Sequence, residues 1–207
     1  MKSISNEGNA TIIIEVCRQI EANRVYLSDI DGLIGDGDHG VNMSKGFSMA
    51  RGQITDTDSF SSACKKLGDV LLFEIGGSMG PIYGTFFRSI ASMTKNQERI
   101  DAPVMLTALE RALEGIMNIG GAKVGDKTLV DTIFPAVEAF KTESDFITAI
   151  DKAITAAEQG MNSTKDMIAK IGRAARLGER SAGVLDAGSV SCFIILKSLL
   201  EGFKLQL

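Results

Sequence analysis

The 207-residue sequence contains no tryptophan, only two tyrosines, one histidine, three prolines and three cysteines, and no apolar run near the 18 or more residues of a membrane span. Each scarcity removes a class of protein. Met1-Lys2-Ser3-Ile4-Ser5-Asn6-Glu7-Gly8 lacks the continuous apolar stretch of a signal peptide, so the cytoplasm is the expected location and no membrane is expected as a partner. A lone histidine, His39, cannot build a histidine-rich zinc centre. Cys17, Cys64 and Cys192 are odd in number, far apart and set among Ile, Val, Leu and Phe, which reads as reduced, buried thiols. With 22 Lys and Arg against 26 Asp and Glu, and no dense basic stripe, nucleic acid is not an expected partner.

What remains is a globular chain, 44% hydrophobic and 23% charged, whose 22 glycines follow no collagen-like period. At this length a single domain over residues 1–207 is expected, burying roughly 70% of the surface that the unfolded chain exposes.

The apolar periodicity is helical from end to end. Ile13, Val16, Ile20 and Leu27 line one face of a helix over 9–28, and Met105, Ala108, Leu109, Ala112 and Ile116 do so over 103–118. Phe146, Ala149, Ile150, Ala153, Ile154 and Ala157 continue the pattern over 145–158, with Ser144 able to cap that helix. Further helices are expected near 41–51, 58–75, 81–95, 127–141, 163–171 and 188–204. The last is apolar around most of its circumference, from Cys192 to Phe203, which predicts a central position. Pro81 and Pro103 fall at helix starts, whereas Pro135 falls inside a helical pattern and predicts a kink or break. No segment alternates with period two. The expected class is all-α, a bundle or barrel of eight or nine helices.

Four loops carry the polar chemistry. The first, Asp31-Gly32-Leu33-Ile34-Gly35-Asp36-Gly37-Asp38-His39-Gly40, places three carboxylates in eight residues on a glycine-rich turn that opens a helix. Such crowded acids repel one another unless a hard divalent cation sits among them, Mg²⁺ or Ca²⁺; solvated loop acids are the alternative. An EF-hand begun at Asp36 fails, because its sixth and twelfth positions are Val41 and Phe47. His39 reads either as a phosphate-contacting neighbour of the acids or as a plain loop histidine. The second loop, Gly76-Gly77-Ser78-Met79-Gly80-Pro81, suits an anion at a helix N-terminus, or equally a tight connection between helices.

The third, Gly120-Gly121-Ala122-Lys123-Val124-Gly125-Asp126-Lys127-Thr128, only superficially resembles a P-loop, since Asp126 intervenes before the lysine and no strand precedes it. Asp126, Lys127 and Thr128 are left to cap the next helix or to reach phosphate. The fourth, residues 172–189, is long, with Arg173, Arg176 and Arg180 as fork-like donors for phosphate and Asp186 as a possible N-cap. Carboxylates for a cation, glycine turns for phosphate oxygens and an arginine loop together form the parts of phosphoryl transfer.

Four ordered motifs then carry a resemblance over most of the chain: Gly35-Asp36-Gly37-Asp38-His39-Gly40-x-Asn42, Gly76-Gly77-Ser78-x-Gly80-Pro81-x-x-Gly84-Thr85-Phe86-Phe87, Gly125-Asp126-Lys127-Thr128, and Gly172-Arg173-Ala174 followed by Leu177-Gly178-Glu179-Arg180-Ser181. The chain resembles the nucleotide-binding L subunit of dihydroxyacetone kinase. The resemblance implies an eight-helix antiparallel up-and-down barrel with ADP–Mg²⁺ bound in the loops at one end. It implies that Asp31, Asp36 and Asp38 coordinate two Mg²⁺ ions on the nucleotide phosphates, and it assigns the catalytic role to these three with Arg173. His39, Gly40, Val41, Asn42, Ser78 and Met79 would line the nucleotide, Gly120 and Leu129 would lie along the nucleoside, and Asp186-Ala187-Gly188 would close the pocket. Two positions depart from the pattern: Met79 stands where the family often has Ser or Thr, and Ala187 where it tends to have Pro. A thioether cannot donate a hydrogen bond to phosphate, which leaves that contact to Ser78 or the backbone.

In that family the L subunit presents the γ-phosphoryl group of ATP to dihydroxyacetone held covalently by a histidine of a separate K subunit. A chain with L-type motifs alone implies the phosphoenolpyruvate-linked version, in which bound ADP is rephosphorylated by a phosphohistidine M subunit of the phosphotransferase system. Two alternatives stand beside it: an ATP-exchanging kinase subunit for another short ketose such as a tetrulose, and a non-catalytic ADP–Mg²⁺ sensor that docks on a regulator. A homodimer is left open by the sequence.

Overall fold

The computed structural model describes residues 2–207. A short strand β1 (Ser3–Ser5) is followed by α1 (Ala10–Ala22), α2 (Arg24–Ile34), α3 (His39–Arg51), α4 (Phe60–Glu74) and α5 (Met79–Thr94). Strand β2 (Arg99–Asp101) then precedes α6 (Ala102–Gly120), α7 (Val130–Lys141), α8 (Phe146–Ser163) and α9 (Ala187–Gln206). The fold is all-α. Neighbour contacts run α1–α3–α4–α5–α6–α7–α8–α9 and return to α1, closing a ring, with α2 laid over α3 and α9.

Each helix buries the stripe its sequence supplies. Ile12, Ile13, Val16, Cys17 and Ile20 of α1 are buried, as are Met105, Ala108, Leu109, Ala112 and Ile116 of α6. α9 packs on α1, α2, α7 and α8, and its Phe203 stands edge-on to Phe60 with centroids 4.9 Å apart. All three cysteines are buried and free. Side-chain caps start four helices: Ser59 accepts from Ser62 N, Asp101 from Val104 N, Asp145 from Thr148 N and Asp186 from Ser189 N. Asp145 thus takes the place expected for Ser144.

The structure departs from the periodicity in four places. The helix expected over 9–28 is two, because the Asn23 amide returns to Gln19 O at 2.8 Å and ends α1; Leu27, buried on α2, keeps the apolar spacing and hides the break. Residues 163–171 form only the end of α8 and a 3₁₀ turn over Thr164–Asp166. The Thr164 and Met167 carbonyls there turn to the Lys127 ammonium. The strands β1 and β2 pair antiparallel, Ser3 opposite Asp101, over a length too short to show alternation. Pro135 does not break α7: the Asp131 carbonyl, left without its partner at 135, is covered by α8 at Gly160, where a Cβ would lie 2.1 Å from that oxygen.

Between α3 and α4, Asp58 accepts hydrogen bonds from Thr55 N at 2.8 Å, Ser62 Oγ at 3.0 Å and the Lys66 ammonium at 2.6 Å. The Lys66 bond, with Thr55 N behind it, holds this carboxyl down to about 2. Its contribution to stability is therefore present above its ordinary pKa near 3.8 and is lost as the pH falls through about 2. Asp58→Asn is expected to lower the Tm at pH 7 by about 2–4 °C, a difference that vanishes near pH 2. Thermal unfolding followed by circular dichroism checks this, and a pH-independent difference would contradict it.

Candidate functional site

At one end of the ring the four loops surround a cleft of about 560 Å³. One wall is the corner between α2 and α3. A Cβ on Gly40 would lie 2.0 Å from Arg24 O and 2.7 Å from Ser28 N, so only glycine lets the two helices cross this closely. That contact sets the acids. Asp31 is not on the turn, as its sequence position suggested, but in the last turn of α2, while Asp36 and Asp38 follow on the loop and Asp38 is the N-cap residue of α3. One carboxylate oxygen from each lies within 4.8 Å of the others. Arg173, from the loop after α8, forms an ion pair with Asp36 across the mouth of the cleft. His39 N reaches Asp31 Oδ2 at 3.4 Å. Three carboxylates against one guanidinium leave net negative charge, and an all-oxygen donor set suits a hard cation such as Mg²⁺ far better than zinc.

The remaining predicted residues divide cleanly. Asn42, Ser78, Met79, Gly120, Leu129, Asp186, Ala187 and Gly188 line the cleft with His39, Arg173 and the three acids. Gly40 and Val41 do not: Gly40 is buried behind the wall against α2, and Val41 faces outward at 43% exposure. Of the three loop arginines only Arg173 reaches the cleft, Arg176 and Arg180 being exposed elsewhere.

His39 is the first residue of α3 and is buried. Its Nε2 lies 2.9 Å from Ser191 Oγ, which lies 2.6 Å from the Tyr83 hydroxyl. Burial pushes its pKa down to about 4, against an upward pull from Asp31, so the ring is neutral at pH 7. Asp186 both caps α9 and lines the cleft; burial raises its carboxyl to about 6 in spite of the bond from Ser189 N.

Asp131 organises the third loop. Its buried carboxylate accepts from Gly125 N at 2.5 Å and Thr128 N at 2.8 Å; of the three residues expected to cap the next helix or reach phosphate, only Thr128 bonds to that helix, its Oγ1 accepting from Val130 N, while Asp126 accepts from Lys123 N. Lys127 does not reach out for an anion. Its three N–H donors go to Thr164 O at 2.7 Å, Met167 O at 3.2 Å and Val184 O at 2.5 Å. Sequence reasoning missed the apolar wall of Ile34, Ile82, Ile116, Ile119 and Ile171, whose helical spacing is that of ordinary core residues. It also missed Ser191 and Tyr83, which carry no motif. Only the exposure of Ile119, 51% at the end of an otherwise buried stripe, marks it as a cleft residue.

A model of the DAK2 domain matches residues 33–201. The chain belongs to the DAK2-domain family. Among individual proteins, the ADP-binding subunit DhaL of PEP-dependent dihydroxyacetone kinase 2 from Listeria innocua serovar 6a is 36% identical over 192 residues, spanning 89% of each chain. The corresponding ADP-binding subunit of Escherichia coli strain K12 is 35% identical, over 84% of this chain and 86% of that one. L-erythrulose kinase of Pectobacterium atrosepticum is 31% identical over 86% of this chain but 32% of its own length. The crystal structure of the C. freundii dihydroxyacetone kinase in complex with AMP-PNP and Mg²⁺ superposes with a TM-score of 0.70 over 93% of this chain and 33% of that one, at 22% identity, and establishes a shared fold.

For this DAK2 domain the crowding of the acids is expected to carry a cost in stability. Within 4.8 Å, repulsion from Asp31 and from an Asp36 only partly offset by Arg173 is expected to outweigh the benefit of one carboxylate at the N-terminus of α3, which is confined to the first turn. Asp38→Asn is therefore expected to raise the Tm by about 2 °C in EDTA and to abolish any rise on adding Mg²⁺. Paired melting curves with and without the cation check both halves; a lower Tm in EDTA would contradict the repulsion.

Proposed function

We propose that the chain carries an adenine nucleotide in this cleft and presents its terminal phosphoryl group to dihydroxyacetone held on a separate K subunit, the bound ADP being rephosphorylated by a phosphohistidine M subunit of the phosphotransferase system. The observation that carries this reading is the meeting of Asp31, Asp36 and Asp38, the Gly76-Gly77-Ser78 turn and Arg173 at one cleft mouth, from segments far apart in sequence. Its similarity to ADP-binding subunits of PEP-dependent dihydroxyacetone kinases supports the choice of nucleotide, acceptor and donor.

The donor set fits Mg²⁺, and Asp31, Asp36 and Asp38 are the residues that would hold two such ions. When bound there, the ions supply neutralisation of the phosphoryl oxygens in a loose transition state that asks for positioning and charge more than for a protein nucleophile. The protein's own groups divide the other tasks. Gly76, Gly77 and Ser78 are exposed at the start of α5, where backbone N–H groups suit phosphate oxygens. The Ser78 hydroxyl makes no capping bond to its own helix and is free to donate, which meets the need left by Met79. Arg173 adds a fork of N–H donors from the opposite rim. Ile82, Ile116, Ile119 and Leu129 give the flat apolar wall that an adenine ring needs.

The similarity to L-erythrulose kinase supports a second reading, a kinase subunit for a tetrulose that exchanges ATP freely. Reconstitution with a K subunit separates the two, by sugar phosphorylated and by whether bound nucleotide exchanges with labelled ATP or accepts phosphate from a phosphocarrier.

The purified chain is expected to retain ADP in the presence of Mg²⁺, and Asp36→Asn and Asp38→Asn are each expected to lose most of it with unchanged helicity. Mass spectrometry of the released nucleotide measures this. ADP content equal to the parent in both variants would overturn the assignment of the acids.

A further inference from the structure

The loop between the 3₁₀ turn at Thr164–Asp166 and the start of α9 leaves the body of the protein at Met167 and returns at Val184. The carbonyls of both residues bind one ammonium, that of Lys127, at 3.2 and 2.5 Å, and Thr164 O takes the third proton at 2.7 Å. Lys127 is 1% exposed and is the one non-glycine residue with positive φ, at 62°, among those described. A strained backbone at a lysine is what brings Nζ inward from the turn before α7 to the neck of a loop from the far side of the cleft. Bonds from an ammonium to three carbonyls are charge-assisted, and Lys127, though it borders the cleft, is 1% exposed.

The circuit closes on itself. Thr164 Oγ1 accepts from Asp186 N at 3.1 Å, the Asp186 carboxyl accepts from Ser189 N at 2.7 Å, and Ser189 Oγ donates to Thr128 O at 2.6 Å, beside Lys127. Gly183 N to Lys165 O at 2.7 Å and Ala169 N to Ser181 Oγ at 2.9 Å add rungs just above the neck. Toward its tip, which brings Gly172 and Arg173 over the cleft, the loop is held to the body by Lys170 N to Asp126 O at 3.1 Å, by the Lys170–Asp126 ion pair at 3.7 Å and by the Arg173–Asp36 pair, the two cationic side chains being 62% and 64% exposed. Such exposed pairs hold weakly. The loop is thus held by more and better-buried bonds at the neck than toward its tip.

We propose that Lys127 is a positioning residue: its ammonium cinches the neck of loop 167–184, fixes where Arg173 lies over the cleft, and thereby sets how slowly a bound nucleotide leaves. The cinch itself stands on the hydrogen bonds; the consequence for nucleotide release rests on the function proposed above.

The loop carries exposed Arg173, Arg176 and Arg180, so trypsin reads its opening directly. In the full-length protein without nucleotide, Lys127→Ala is expected to be cut in this loop about tenfold faster than the parent, with far-UV circular dichroism unchanged. n-Propylammonium, which replaces the deleted carbons and ammonium, is expected to restore protection, whereas tetramethylammonium, with no N–H to donate, is not. With a fluorescent ADP and Mg²⁺, the release rate is expected to rise by a similar factor and to fall again with n-propylammonium. Cutting at the parent rate, or no rescue by n-propylammonium, would overturn the cinch, and faster cutting with unchanged ADP release would overturn its consequence. A parent that binds no ADP would instead overturn the proposed function and leave the cinch supported by proteolysis alone. Should Lys127→Ala unfold as a whole, Lys127→Gln, which loses the charge and keeps donors for at most two of the three carbonyls, takes its place without the amine rescue: cutting and ADP release faster than the parent are then expected, and cutting at the parent rate would overturn the cinch.

Discussion

Three carboxylates held within 4.8 Å of one another form the interaction around which this end of the molecule is arranged. Their mutual repulsion would scatter them if they stood on a free loop. Instead Asp31 belongs to the rigid last turn of α2 and Asp38 to the N-cap of α3, and the close crossing of those helices at Gly40 fixes the distance between the two. The cluster is therefore a property of the fold, and part of its charge is left for whatever cation and anion the cleft takes up.

Behind the acids, polar groups are spent inward. Lys127 on three carbonyls, Asp131 on two backbone amides, Asp186 on the first turn of α9, and His39 with Ser191 and Tyr83 all satisfy one another and brace the loops. The groups that face the cleft with capacity to spare are the acids, the Ser78 hydroxyl and its neighbouring amides, and Arg173. That division makes the site stiff below and open above, which is what positioning a transferring phosphoryl group demands.

The helices were legible in the sequence because each exposes one face and buries another, and the stripes of α1, α6 and α8 follow that rule, Ile154 alone being only partly buried. Where a side chain competes for the backbone the pattern misleads: Asn23 ends α1 although Leu27 continues its stripe, and the Met167 carbonyl, with the Thr164 carbonyl that keeps only the 3₁₀ bond from Met167 N, turns to Lys127. The acids stood out because three carboxylates crowd into eight residues, whereas Ser78 and Arg173 were set apart from their neighbours only by the resemblance. The isoleucines of the cleft did not, since an apolar residue facing a cleft and one facing the core have the same spacing. Nor could the sequence tell that Lys127 points inward, because its three partners are main-chain carbonyls, which every residue carries.

The central claim is that the acid cluster binds an adenine nucleotide only together with a divalent cation. Isothermal titration of the nucleotide-free protein with ADP, in Mg²⁺ and again in EDTA, addresses it most directly. Tight binding that collapses when the cation is chelated is the predicted result. Equal affinity in both buffers, or no binding in either, would contradict it.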